Sequence, residues 1–295
     1  MGLVPNILSF GACLVNGPLN RRAGVNDKVS FARVAQGSIP GVYSFAEMFQ
    51  VMDMLNGVRD VPREIRPYAG VHDAFKPFPG AGKLTDVDTI LVELSAPYNI
   101  MFRSCALNRA AIMVNITNQI GAVSQHAKKK TTAWMHRGLL QMDESVQAES
   151  AEELISLMPS DMPNPQMAKA IIREARATTH DLKKGLVRLR ELTHGIPMGV
   201  IVFNFRYLPD GRILSWPEGF REAVISVATE MKLPIFDPAD LVLKHGVATA
   251  LRDDLVHYRP EFMPKVAHAL ADFAQSVFQQ SQKTSTGGRI READA

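Results

Sequence analysis

Along this chain, short apolar runs alternate with longer stretches in which apolar residues recur every three or four positions. The runs predict strands at residues 6–11, 29–35 ("VSFARVA"), 88–94 ("DTILVEL"), 198–204 ("MGVIVFN") and, more briefly, 234–236. The third run is almost continuously apolar, as expected of a strand buried on both faces. The three-and-four periodicity predicts helices at 44–55, opening on Ser44, at 218–231 after Trp216-Pro217, and at 260–279. The last carries Phe262, Val266, Leu270, Phe273 and Val277 along one stripe. Strands alternating with helices predict an α/β fold, a doubly wound five-stranded parallel sheet covered on both faces.

Residues 103–193 break this rhythm. They read as helices interrupted at "MPSDMPNPQ", an insertion between the third and fourth strands that is either structural or a lid. From Gln279 onward the chain is polar and rich in Gly, Ser and Thr, so it is expected to fray. The reading is one α/β domain over 1–278, insertion included, followed by a flexible tail over 279–295.

Composition narrows the function classes. The 33 basic and 30 acidic residues nearly cancel, and the only basic run is Lys128-Lys129-Lys130, so no nucleic-acid partner is expected. No stretch of about 18 apolar residues suggests a membrane span. The N-terminal apolar segment has no preceding Lys or Arg and is interrupted by Pro5, Asn6 and Ser9, so it does not read as a signal. Two cysteines, Cys13 and Cys105, do not make a disulfide framework, and a reducing cytoplasmic setting is expected. The histidines lack metal-ligand spacing, "FPGAGKLTD" is not a phosphate-binding loop, and no Gly-rich dinucleotide motif occurs.

The candidate chemistry lies at both ends of the chain. Cys13 follows the first strand at a sharp Gly-Ala-Cys stop, while Cys105 sits in an apolar stretch and reads as core. In "RDDLVHYRPEF", Asp254 and His257 are three residues apart just before the closing helix, a spacing that puts both on one face of a helical turn. Asp254 would then hold one imidazole nitrogen and leave the other as a base, with Asp253 the competing acid. Asn99 follows the third strand. In an open parallel sheet such strand-exit loops gather where ligands bind.

"FGACL", "VDTILVELSAPYN", "LPIFDPADLV" and "DDLVHYRPEF" together resemble the blocks of the SGNH/GDSL hydrolase superfamily, over roughly Ile7 to Phe278 apart from the helical region. That resemblance implies a flavodoxin-like sheet of the SGNH hydrolase type. It implies Cys13 as nucleophile, His257 as base and Asp254 as orienting acid. The Cys13 N–H, a backbone N–H at Gly37 or Gly41, and the Asn99 side chain would form the oxyanion hole. Cys13 stands where the superfamily has Ser, Ala12 where it usually has Asp, and the third block lacks a compact G-x-N-D. Cysteine at this place is similar to the GSCFA family and to capsular-polysaccharide acyltransferase branches.

The expected activity is therefore ester hydrolysis or acyl transfer through a thioester on Cys13, with a small-molecule or O-acylated carbohydrate substrate. No cofactor is required, and acetyl-CoA or another acyl-CoA is an admissible donor. The alternative is a non-catalytic SGNH-like binding protein in which the site has degenerated.

Overall fold

In the computed structural model the described residues are 4–11, 13–20, 25, 27–32, 35–36, 41–77, 84–140, 142–204, 206–215 and 217–289. The side chains of Cys13, Asn20, Ala35, Gln36, Pro77 and residues 283–289 fall outside that description. The chain forms two compact units, the first built from Met1–Val34, Leu84–Ser95 and Asp181–Ala295, the second from Ala35–Lys83 and Ala96–His180.

The first unit is organised on five parallel strands: β1 (Asn6–Phe10), β2 (Ser30–Phe31), β3 (Thr89–Leu94), β4 (Met198–Val202) and β5 (Ile235–Phe236). Their spatial order is β5-β4-β3-β1-β2, the 2-1-3-4-5 order of flavodoxin-like doubly wound sheets. Ile7 sits between Phe31 and Thr89, Ile90 opposite Met198, and Val200 opposite Ile235. All six residues of β3 are buried, and each large aliphatic side chain there contributes about 1.5–3 kcal/mol. The flanking helices are α1 (Cys13–Asn20), α2 (Leu182–Leu192), α3 (Phe220–Glu230), α4 (Pro238–His245) and α5 (Met263–Arg289). Alternation sends Ile7, Leu91 and Ile201 to the face that packs with α1 and α5, while Leu8, Ile90, Val92 and Val200 are equally buried on the other. At Gly199, a Cβ would stand 2.7 Å from the Phe273 ring, so the glycine admits α5 onto β4.

The second unit carries a three-stranded antiparallel sheet, with Tyr98–Phe102 between Cys105–Leu107 and Arg176–Thr179. The helix Phe45–Leu55 is joined to it by Gln50, whose amide exchanges two hydrogen bonds with the Ala106 backbone (2.9 and 3.0 Å) as a neighbouring strand would. Helical segments run from Arg109 to Gly121, Gln125 to Leu140, Glu144 to Ser156 and Pro165 to Glu174. The wholly buried Trp134 donates its indole N–H to the Ile172 carbonyl at 3.2 Å.

The five-stranded parallel sheet agrees with the sequence reading, and other details differ. Residues 103–193 are not uniformly helical, since the short strands 105–107 and 176–179 lie within them. They are too short to show a period, and Arg103, at φ 54°, makes the tight turn between the first two strands. The second unit also draws on 35–83, ahead of β3, and α2 belongs to the first unit. The closing helix takes in residues 279–289 of the expected tail. The predicted second strand is reduced to Ser30–Phe31, with Ala35–Gln36 pairing instead with Lys76–Pro77.

Glu47, in the first turn of the helix Phe45–Leu55, is 5% exposed. It accepts from Asn108 Nδ2 (2.6 Å), Ser44 Oγ (3.0 Å) and the Tyr43 N–H (3.4 Å). Burial outweighs these bonds and pushes its carboxyl up to about 8. Between the ordinary value of 4.5 and about 8 the folded chain therefore holds a proton that the unfolded chain releases. Stability falls as pH rises through that window, by up to about 1.4 kcal/mol per unit, and levels off above it. Replacing Glu47 by Gln is expected to remove this slope in urea denaturation. Parallel pH profiles for the two proteins would contradict the assignment.

Candidate active site

The turn after β1 is held by local chemistry. Asn16 on α1 donates its amide to the Gly11 carbonyl (2.8 Å) and accepts from Ser9 Oγ (2.9 Å), so strand end and helix start are tied together. Gly11 is required by the neighbouring strand: a Cβ there would fall 2.7 Å from Oε2 of Glu93, a carboxylate 1% exposed in β3. The backbone of Cys13 is the first residue of α1, where helical N–H groups lack partners within the helix and the helix dipole favours a thiolate. The thiol itself lies outside the described side chains.

Asp254 and His257 sit on a loop closed at its base by a bridge between Leu251 and Tyr258 and by the Arg252 N–H to His257 carbonyl bond (2.8 Å). It is a turn rather than a helix. One Asp254 oxygen accepts the backbone N–H groups of Val256 and His257 (both 3.0 Å), and the other meets His257 Nδ1 at 2.7 Å. Partial desolvation pushes the Asp254 carboxyl up, but the His257 backbone, its imidazole and the Val256 backbone together bring it down to about 2. The carboxylate thus keeps its charge as pH falls through the ordinary 3.8 and loses it, with the imidazole contact, only toward about 2. His257 Nε2 makes no hydrogen bond to the described residues, and both side chains are about half exposed. Asp253, the competing acid, is turned toward Arg259 instead (3.3 Å).

The loop pays for this geometry at Leu255, which adopts a left-handed backbone with φ 57°. Its carbonyl accepts the Tyr207 N–H at 3.0 Å. Tyr207 in turn belongs to a polar network at the ends of β4 and β5 that the sequence did not reveal. Asn204, 1% exposed, donates to Tyr207 Oη and Asp237 Oδ1 (both 3.0 Å) and accepts from Arg221 Nε (2.9 Å). Arg221 also pairs with the second Asp237 oxygen, and Asp237 caps α4 through the Ala239 N–H (2.9 Å). Burial pushes the Tyr207 phenol well above its ordinary range. The one sequence signal was Asp237-Pro238, a helix cap followed by a first-turn proline.

The loop also meets α1. Tyr258, next to His257, and Leu14, next to Cys13, line the same small internal space of about 10 Å³, together with Glu93. Of the expected oxyanion donors, Gly37 lies outside the described residues. Gly41 belongs to the second unit, where its carbonyl accepts Asn108 Nδ2 (2.9 Å). Asn99 is also in the second unit, within the strand Tyr98–Phe102, and its Oδ1 accepts the Ala46 N–H at 3.0 Å at the start of the helix Phe45–Leu55. Cys105 is buried core, in a strand.

Among known proteins, the family described as the TviD N-terminal domain matches residues 5–273. No curated protein and no solved structure matches.

Replacing Asn204 by Leu would strip a partner from Tyr207, Asp237 and Arg221 at once, and is expected to cost on the order of 3 kcal/mol in chemical denaturation, against about 1 for Tyr207→Phe. Leu255 also packs against the core, so the strain is read from Leu255→Gly against Leu255→Ala, which lose the same packing. Gly should be the more stable by about 1 kcal/mol, whereas a β-branched Val at the same left-handed position is expected to be the least tolerated of the three.

Proposed function

We propose that this chain, which belongs to the TviD N-terminal domain family, is an acyltransferase acting on carbohydrate hydroxyls through Cys13, His257 and Asp254. The family suggests a capsular-polysaccharide O-acetyltransferase-like role. The observation that carries the mechanism is the pairing of Asp254 with His257 Nδ1 at 2.7 Å, on a loop whose next residue lines the same small internal space as the residue after Cys13. The flavodoxin-like strand order, with a thiol after β1 and D-x-x-H before α5, supports the SGNH-type reading.

With Nδ1–H donated to Asp254, Nε2 carries the lone pair and takes the Cys13 thiol proton. The sulfur attacks the donor's acyl carbonyl, and the Cys13 N–H stabilises the resulting oxyanion. Collapse breaks the bond to the leaving oxygen or sulfur, which receives the proton from Nε2, and leaves a Cys13 thioester. An acceptor hydroxyl then passes its proton to Nε2 as its oxygen attacks. The second collapse forms the new ester and frees the Cys13 sulfur, which recovers the proton. Water as acceptor would make the same cycle a hydrolysis. Thioesters react readily with nucleophiles other than water, which favours transfer. An acyl-CoA fits the donor role by its chemistry.

The test is intact-protein mass spectrometry after brief exposure to p-nitrophenyl acetate and, separately, acetyl-CoA. The wild type should gain one acetyl group on Cys13, Cys13→Ala none, and His257→Ala should acylate about 10²–10⁴-fold more slowly. Asp254→Asn should slow acylation in the same direction. No adduct, with alkylation of Cys13 at the rate of a free thiol, would overturn the catalytic reading in favour of a binding protein with a degenerate site.

A further inference from the structure

We propose that the helical hairpin of residues 109–140, within the second unit, holds a separate binding site for the phosphate monoester of a small hydroxylated molecule. It contains a cavity of about 450 Å³, within the size range of small-ligand pockets. The proposal is independent of the acyl-transfer chemistry.

The first observation is in the backbone. Two π-helical segments occur among the described residues, Met113–Thr117 and Trp134–Leu140. Both line this cavity, the first through Met113 and Thr117, the second through Met135 and His136. Such widened turns are rare, far below 1% of residues, and where they persist they frequently mark functional sites. The two lie on the two limbs of one hairpin, around one cavity. The limbs are close at Gly121, where a Cβ would stand 3.4 Å from Thr131 Oγ1 and 3.5 Å from the Lys128 Cα.

The second observation is the chemistry of the lining. No carboxylate contributes to it. Lys128 does contribute, and it makes no ion pair among the described residues, although Lys130 and His126 on the same helix are both engaged by Glu153 (2.7 and 3.0 Å). His136 is held toward its neutral form by burial and by the charge of Arg109. The hydroxyls of Thr131 and Thr132 donate to the Lys128 carbonyl (2.9 and 2.8 Å), and that of Thr117 to Met113 (2.9 Å). Their oxygens are left to accept, which suits a ligand that brings its own hydroxyl donors. Met113 and Met135 add a pliable apolar wall.

Charge decides between oxyanions. A fixed ammonium, an imidazole that can gain a proton and a guanidinium close enough to act on that imidazole match a dianion better than a single negative charge. A phosphate monoester carries about −1.5 to −2 at neutral pH, a carboxylate −1.

The experiment is NMR of the full chain, following the His136 ring during a pH titration with inorganic phosphate, glucose 1-phosphate or glucuronate. Phosphate and glucose 1-phosphate should raise the His136 titration midpoint, and glucose 1-phosphate should bind more tightly because its hydroxyls are engaged. Lys128→Ala should weaken binding about tenfold, the loss of one charge-assisted contact, while Lys129→Ala, one residue along and outside the lining, should leave it unchanged. Three results would each overturn the proposal: a His136 midpoint indifferent to both phosphates, equal binding of glucuronate, or equal effects of the two lysine substitutions.

Discussion

The hydrogen bond from the Tyr207 N–H to the Leu255 carbonyl ties the loop carrying Asp254 and His257 to the short antiparallel pair Arg206–Tyr207 and Ile213–Leu214 that follows β4. Without it, nothing in the loop's own sequence favours Leu255 at a positive φ, a conformation that costs a branched residue about 1–3 kcal/mol. With it, the chain turns tightly enough for Asp254 to take two backbone N–H groups on one oxygen and the imidazole on the other. Tyr207 is fixed in its turn by Asn204, and Asn204 by Asp237 and Arg221, which come from the end of β5 and from α3. Two strand exits and one helix thus converge on the residue that makes this backbone contact, and the exposed pair is braced by a buried network.

The carboxylates show how environment divides one functional group into several roles. Glu47, buried among neutral donors, is held protonated into neutral pH and acts as part of a core. Asp237 is mostly buried but faces a guanidinium, so the cost of removing its charge from water is offset by Arg221 and by the end of α4. Asp254 stays near solvent and is surrounded by N–H groups, which lowers it to about 2. Among these three, only Asp254 combines a permanent charge, partial exposure and a contact to an imidazole.

How much of this was legible follows from the range of the interactions. The run "DTILVEL" announced its own place because a central parallel strand is apolar on both faces, and D-x-x-H announced a pair because its members are three residues apart. β2 and β5 contain two residues each, too few to carry a period, yet neighbouring turn signals and the apolar pattern located them. The Asn204–Arg221–Asp237 network was not legible: its members are 17 and 33 residues from Asn204 and look individually like ordinary polar residues. The contact of the Asn99 oxygen with the Ala46 N–H, 53 residues away, was hidden for the same reason. The second unit is discontinuous, leaving the first unit after β2 and again after β3, and composition alone marks only the longer departure.

In the proposed mechanism, a thiol at position 13, where the SGNH resemblance has a serine hydroxyl, fits the geometry at Asp254. A thiol needs less help to ionise than a serine hydroxyl, and a helix N-terminus already favours its anion. In the proposed cycle the imidazole's harder task is in the second half, where it would take a proton from an acceptor hydroxyl. An imidazole that gains charge in that step is best served by a carboxylate that stays charged throughout, rather than by one that shares the proton. Asp254, held at about 2 by three N–H donors, is such a group: in the proposed cycle it would orient the ring and balance its charge while the proton remains on His257.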